Sequence, residues 1–294
     1  MDRFEGLSAF VAVAERRGFA TAARALGMSP AAVTRAIAGL ERRLGVTLFH
    51  RSTRAVSLTD EGAGFLDRAR RILADLREAE QIAMGGRSTP RGQLYVTAPV
   101  MFGRLHVLPE LTALMAGHVG LTARLMLIDR NVRIVEEGVD VAVRIGALAD
   151  STLRRVTIGT VQQTIVASPA YLHGHGVPAA PADLRRYHCI AGAGARPEFA
   201  WTFDACETVD IAPRLTVNTV DATIAAAEAG LGVANLLSYQ VAGAIAAGRL
   251  VRVLANHSPP PLPVSLLYDA ARASLPSVRL FIEAMRARGK TSTW

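Results

Sequence analysis

The stretch AAVTRAIAGLERRLG, residues 31–45, constrains this chain more than any other segment. Val33, Ile37, Leu40 and Leu44 recur at steps of four, three and four, the spacing of one buried helical stripe. The opposite side carries Ala31, Thr34, Arg35, Ala38 and Arg42. A solvent-facing helix ordinarily carries long polar side chains; here small residues alternate with arginine. Such a face suits close approach to a polyanion.

The flanking residues place this helix in a unit. Phe4, Leu7, Phe10, Val11 and Ala14 predict a first helix over 3–16, ended by Gly18. FATAARALG (19–27) predicts a short second helix with Gly27 as its stop. Ser29 then offers an N-cap and Pro30 a first helical residue. Two short helices joined by a tight glycine-containing turn make a helix-turn-helix. The alternating segment VTLFHRSTRAVSLT (46–59) predicts a hairpin wing with His50, Arg51 and Arg54. Thr59 is placed to cap a long helix in which Phe65, Ala69, Ile72, Leu76, Ala79 and Ala83 form a heptad seam, read as a pairing face. GGRSTPRG (85–92) has the composition of a linker.

The remainder alternates strands and helices. LYVTAPV, LTARLMLI and VDVAVRIG are strands, and a second set opens near residue 161. Such βαβ alternation predicts mainly parallel sheets in two α/β lobes with a cleft between them. The predicted divisions are a winged helix-turn-helix over 1–58, a linker helix over 59–87 and an effector domain over 88–294. Its lobe I covers about 91–161 and 267–294, its lobe II about 162–266.

Charge supports two jobs. Residues 1–58 hold nine Arg against four acids, net +5, and the rest hold 24 basic residues against 21 acids, net +3. A basic module on a nearly neutral body suggests nucleic-acid binding joined to a second function. Two cysteines, Cys189 and Cys206, are too few for a disulfide framework and lack metal-ligand spacing. HGHG (173–176) reads as a surface loop rather than a metal site, since no further ligands accompany it. No nucleophile–base pair, phosphate loop or metal spacing points to an enzyme, and no cofactor is called for. The absence of a signal-peptide pattern and of a long apolar run predicts a cytoplasmic protein without a membrane partner.

At this point the residues resemble a family. FATAARALGMSPAAVTRAIAGLERRLGVTLFHRSTRAVSLTDEG is similar to the N-terminal signature of LysR-type transcriptional regulators, in Ala22-Ala23, Leu26, Ser29, Ala32-Val33-Thr34-Arg35, Ile37, Leu40-Glu41, Leu44-Gly45-Val46, Leu48-Phe49, Arg51, Leu58-Thr59 and Gly62. LYVTAP, LPEL, GVDVAVRIG and IVASPAYL resemble, more loosely, the effector domain of the subfamily often found beside oxidoreductase genes. The resemblance implies a winged helix-turn-helix, a linker helix and a two-lobed, periplasmic-binding-protein-like α/β effector domain. It also implies a homodimer assembling to a homotetramer, operator DNA and a small-molecule effector as ligands, and RNA polymerase as a candidate partner. One departure stands out: Pro30 occupies a position where many members carry Gln, so a bidentate adenine contact is absent there.

The predicted DNA-binding residues are Thr21, Ser29, Pro30, Ala31, Thr34, Arg35, Arg51 and Arg54. Arg35 is the guanine reader, the Thr34 methyl a thymine contact, and Arg51 and Arg54 backbone or minor-groove contacts. By resemblance, Pro99, Val100, Met101, Phe102, Asp129, Arg144, Gly146, Ala193 and Thr223 line the effector pocket. Their mix of apolar residues and Arg suits an effector with a carboxylate or polarised carbonyl; Arg144 has the alternative of pairing with an acid of its own lobe. Phe65, Ala69, Ile72, Leu76 and Ala79 are the predicted dimerisation residues. A transport-type solute-binding protein is the competing reading for the two lobes, and a redox switch the competing reading for the cysteines.

Overall fold

The computed structural model describes residues 3–51, 56–83, 90–130, 134, 137–148, 152–192, 199–204, 207–291 and 294. The chain divides into two compact units, Met1–Gln93 and Leu94–Trp294.

The first unit follows the apolar spacing closely. Helices α1 (Arg3–Arg16), α2 (Phe19–Leu26) and α3 (Pro30–Leu44) precede a hairpin of β1 (Phe49–Arg51) and β2 (Val56–Leu58), then α4 (Asp60–Ala83). Gly27 ends α2 in the left-handed region at φ 65°, where a side chain would be strained. Antiparallel pairing of Phe49 with Leu58 and of Arg51 with Val56 makes the wing. Its base is fixed by side chains: Glu41 Oε1 accepts the Leu48 N–H at 2.8 Å, and Thr59 Oγ1 donates to the Thr47 carbonyl at 2.8 Å. Thr59 also accepts the Gly62 N–H at 2.9 Å, as the predicted cap should. Gly62 itself is obligatory, because a Cβ there would lie 2.1 Å from the Leu48 carbonyl oxygen.

Two expectations change here. Leu44 is 40% exposed, and Ala36, 1% exposed, completes the buried stripe with Val33, Ile37 and Leu40. The cause is a close crossing of α1 and α3 centred on Gly6, where a Cβ would meet the Ala36 carbonyl at 3.3 Å; the last turn of α3 lies beyond that contact. The seam on α4 is also divided. Phe65 packs on Phe10 with centroids 5.5 Å apart, and Ala69 and Leu73 are buried in the same core, so Phe65 and Ala69 serve their own domain. An ion pair from Arg70 to Glu15 at 2.9 Å anchors this part of α4 to α1. Ile72 is 44% exposed and Leu76 half-buried; the Ala79 side chain lies outside the described residues.

The second unit contains two five-stranded sheets. In lobe I the order is β4 (Leu121–Leu127), β3 (Gly92–Ala98), β5 (Val141–Ile145), β14 (Leu262–Tyr268) and β6 (Arg154–Val161). In lobe II it is β11 (Pro213–Val217), β8 (Cys189–Gly192), β12 (Val233–Leu237), β7 (Gln163–Ala167) and β13 (Val251–Val253). A small hairpin of β9 (Ala200–Thr202) and β10 (Thr208–Asp210) adjoins lobe II.

Both sheets are mixed, which corrects the expectation of mainly parallel ones. β3 and β5 run parallel, as do β11, β8 and β12, but β14 is antiparallel to β5 and β6, and β7 is antiparallel to β12 and β13. The reason is the double crossing between lobes. The chain passes directly from β6 to β7 at Gln162 and returns through Pro259–Pro261 into β14, so each entering strand meets its neighbours from the opposite end. The return strand belongs to lobe I from Leu262, not from 267.

Lobe I's helical layer begins with α5 (Val100–Phe102), continues as a π turn (Gly103–Val107) and then as α6 (Leu108–Gly117). Gly103 lets this helix lie on the sheet: a Cβ there would meet Leu127 Cδ2 at 2.2 Å and Ala98 Cβ at 3.1 Å. The chain's last helix, α10 (Pro276–Thr291), covers the same face, burying Val278, Phe281, Ile282 and Met285 against Val96, Val143 and Leu266. In lobe II, α7 (Pro169–His175), α8 (Val220–Glu228) and α9 (Ser238–Ala246) complete the layers. α7 takes in His173 and His175, correcting the loop expected for HGHG; Ser168 caps it through the Tyr171 N–H, and His175 stacks on Tyr171 at 4.1 Å. Among the described residues no cluster of His, Cys, Asp and Glu could hold a metal, and no helix is long and apolar enough to cross a membrane.

Candidate DNA-binding face and effector cleft

The exposed side of α3 carries Ala31, Arg35 and Arg42, with Thr34 and Ala38 half-buried at its edge. Several predicted contacts are already engaged within the fold. Ser29 Oγ accepts the Ala32 N–H at 3.2 Å, making Ser29 the N-cap of α3. Thr34 Oγ1 donates back to the Pro30 carbonyl at 2.9 Å, so what the side chain has left to offer a base is chiefly its methyl group. Thr21 Oγ1 donates to the Gly18 carbonyl at 2.9 Å, within the turn that starts α2. Arg35 and Arg42 are the exposed arginines of this face, Arg35 in the same turn as Thr34 and one turn after Ala31. Pro30 is exposed at the first helical position. Arg51 ends β1, while its side chain and the whole of Arg54 lie outside the described residues.

In the regulatory unit, the predicted effector residues lie at the ends of β3, β4 and β5 in lobe I and at the start of α8 in lobe II. Pro99 precedes α5, and the Val100 N–H donates to Asp129 Oδ1 at 2.9 Å, so a carboxylate from the end of β4 caps this helix. Val100 is 38% exposed and Met101 half-buried, giving the mouth an apolar element. Gly146 turns the chain after β5 at φ 102° and donates its N–H to the Pro263 carbonyl at 2.9 Å. Arg144, on β5, donates through Nη1 to the Val143 carbonyl at 2.8 Å, and its buried Nη2 has no hydrogen-bond partner among the described residues. Burial pulls this guanidinium below its ordinary pKa, and the Glu137 carboxylate pulls it back up. A buried cationic donor left open in this way suits an acceptor brought by a ligand.

Two effector predictions need revision. Phe102 is fully buried and does not line the cleft; it fills the lobe I core with His106, Tyr239 and Trp294, whose ring centroids lie 4.8, 5.3 and 4.9 Å away. Thr223 is 1% exposed, and its hydroxyl donates to the Thr219 carbonyl at 3.0 Å. The cap of α8 is Thr219, which accepts the Ala222 N–H at 3.3 Å. Ala193 and Cys206 lie outside the described residues. Cys189 is buried, and desolvation pushes its thiol up to about 11, the opposite of a reactive cysteine.

The sequence reading missed Arg104, His106, Tyr239 and Trp294. His106 accepts from Arg288 Nη2 at Nδ1, 3.3 Å away, while Arg288 pairs with Glu110 at 2.9 Å. Burial, reinforced by the Arg288 charge, lowers His106 to about 4. Arg104 and His106 had a local signal, lying three residues beyond Met101 and four beyond Phe102; the contacts with Tyr239 and Trp294 join residues far apart in sequence.

A basic winged helix-turn-helix joined to a two-lobed ligand-binding unit defines a class of DNA-binding regulators, and comparison with known proteins gives the same class. Residues 4–63 match the bacterial regulatory helix-turn-helix of the LysR family, and residues 87–290 match the LysR substrate binding domain. The chain belongs to the LysR family of transcriptional regulators, and these families are regulators rather than enzymes. It is 35% identical over 283 residues to the regulator PtxR of Pseudomonas aeruginosa, covering 95% of this chain and 91% of that one. Among solved structures, CrgA of Neisseria meningitidis is similar with a TM-score of 0.63 and 29% identity over 97% of this chain and 98% of its own. AphB, a virulence activator of Vibrio cholerae, gives 0.60 and 26%, over 98% and 99%. The solute-binding-protein alternative falls with the helix-turn-helix match.

Proposed function

We propose that this regulator reads its operator by inserting α3 into the major groove, with Arg35 paired to a guanine and Ala31 and the Thr34 methyl against thymine methyls. The exposed, alanine-lined face with its unencumbered polar reader carries this reading. Thr21, Arg51 and Arg54 serve the phosphate backbone, and Ser29 and Pro30 set the start of the helix. Ile72 and Leu76, left over once Phe65 and Ala69 enter the core, pair α4 with a second copy, and Ala79 extends that seam toward a homotetramer. RNA polymerase is the partner through which a bound tetramer acts.

The cleft takes a small organic effector bearing a carboxylate or carbonyl, held at Pro99, Val100, Met101, Asp129, Gly146 and Ala193. Arg144 offers its open Nη2. The family resemblance also directs attention to oxidoreductase genes beside this one. Footprinting on the DNA upstream of the neighbouring divergent gene tests the assembly. Wild type should protect two or more half-sites, and Ile72→Glu with Leu76→Glu should leave single half-sites bound weakly. Equal protection by both proteins would refute the pairing role.

A further inference from the structure

An ion pair joins the lobes across the cleft. Arg104, in the π turn after α5, places Nη2 3.6 Å from Oδ1 of Asp221 in the first turn of α8. The separation is too long for a hydrogen bond, and the side chains are 54% and 69% exposed, so the contact is weak and readily exchanged. Asp221 is not needed as a helix cap, since Thr219 already accepts from Ala222. Asp129 likewise satisfies the start of α5. The acid is thus free to serve as a counter-ion, and what it faces is the guanidinium of a residue one helical turn after the partly exposed Val100 and Met101.

We propose that Arg104 is the carboxylate receptor of the cleft and Asp221 its resident counter-ion, exchanged when an anionic effector binds. This rests on the reading of the cleft as the effector site. A free carboxylate can meet the guanidinium with two parallel hydrogen bonds, which Asp221 at its present distance does not. The exchange frees Asp221 and removes this weak tie between lobe I and lobe II, while the buried Phe102–Tyr239 contact still joins them. Val100 and Met101, one turn before Arg104, favour an acid with an apolar body.

The test uses the full-length protein as wild type, Arg104→Gln, Asp221→Asn and the double reversal Arg104→Asp/Asp221→Arg. Without ligand, each single variant should raise amide exchange over residues 100–107 and 219–223 by about two- to fivefold, the range of an exposed pair, and the reversal should restore it. Benzoate and succinate, followed by thermal shift, should bind Asp221→Asn more tightly than wild type by a similar factor. They should not bind Arg104→Gln, and benzamide and succinamide should bind none of the proteins. Failure of the reversal, equal acid affinity in wild type and Asp221→Asn, or acid binding retained by Arg104→Gln would overturn the assignment. Should Arg144→Gln or Val100→Asp abolish acid binding while Arg104→Gln does not, the cleft stands without this receptor. Acid binding indifferent to all three variants would remove the cleft reading as well.

Discussion

Two helices of this protein carry its predicted contacts, and they treat their side chains in opposite ways. α3 (Pro30–Leu44) turns Ala31 and Arg35 outward and buries only the stripe its spacing demands. The helical segment opening lobe I, from Val100 to Gly117, leaves Val100 at the cleft but drives Phe102 into the core two residues later. The difference is one of context. α3 has a single neighbouring layer, so its outer face is free to be functional; the lobe I helix lies between a sheet and, through Tyr239 and Trp294, aromatic rings from distant parts of the chain.

The largest effect that would break this comparison is at Phe102. Phe102→Ala should cost about 3–5 kcal/mol of regulatory-unit stability, seen as a lower thermal midpoint. A variant with wild-type stability and lost effector response would return Phe102 to the cleft. Next comes His106, which touches Phe102. Its pKa falls from 6.5 to about 4 on folding, so the unfolded chain takes up a proton first as pH drops. Stability should decline as pH falls between those two values, by about 3 kcal/mol for the full shift and less because solvent reaches part of the ring, and this contribution should be flat above them. Denaturant titrations should show that slope disappear in His106→Gln; an unchanged slope would place the titration elsewhere. The smallest effect is at Ser29. Ser29→Ala should cost about 1 kcal/mol as a lost cap while leaving operator preference unaltered, which separates capping from base reading on the same helix. A changed preference, measured by competition between operator variants, would make Ser29 a reader.

What could be read from the residues follows the same division. The helix bounds of the first unit, the Ser29–Pro30 start, the Gly27 stop and the Thr59 cap were legible, because each depends on neighbours within one or two turns. Leu44 was misplaced because its burial depends on where α1 crosses, a fact set by Gly6 and Ala36 rather than by periodicity. The α4 seam was misassigned in part for a similar reason: Phe10 and Glu15 claim its first turns. In the regulatory unit the strands were visible, but the mixed sheets follow from two crossings between lobes that no local pattern reveals. Of the cleft, Val100, Asp129 and Arg144 sit at strand ends where the topology makes openings. Phe102 and Thr223 have the same sequence credentials and are buried. Tyr239 and Trp294 reach Phe102 from the far ends of the fold, so nothing near residue 102 announces them.

The central claim is that α3 reads DNA bases through Arg35, the exposed arginine nearer the start of the helix. Selection of bound sequences from a random DNA pool, with wild type and Arg35→Ala side by side, tests it most directly. Wild type should enrich half-sites with a fixed guanine flanked by thymine. Arg35→Ala should lose that guanine, by about 1–3 kcal/mol of discrimination, while retaining salt-dependent binding to unselected DNA. Enrichment of the same guanine by both proteins would contradict the account.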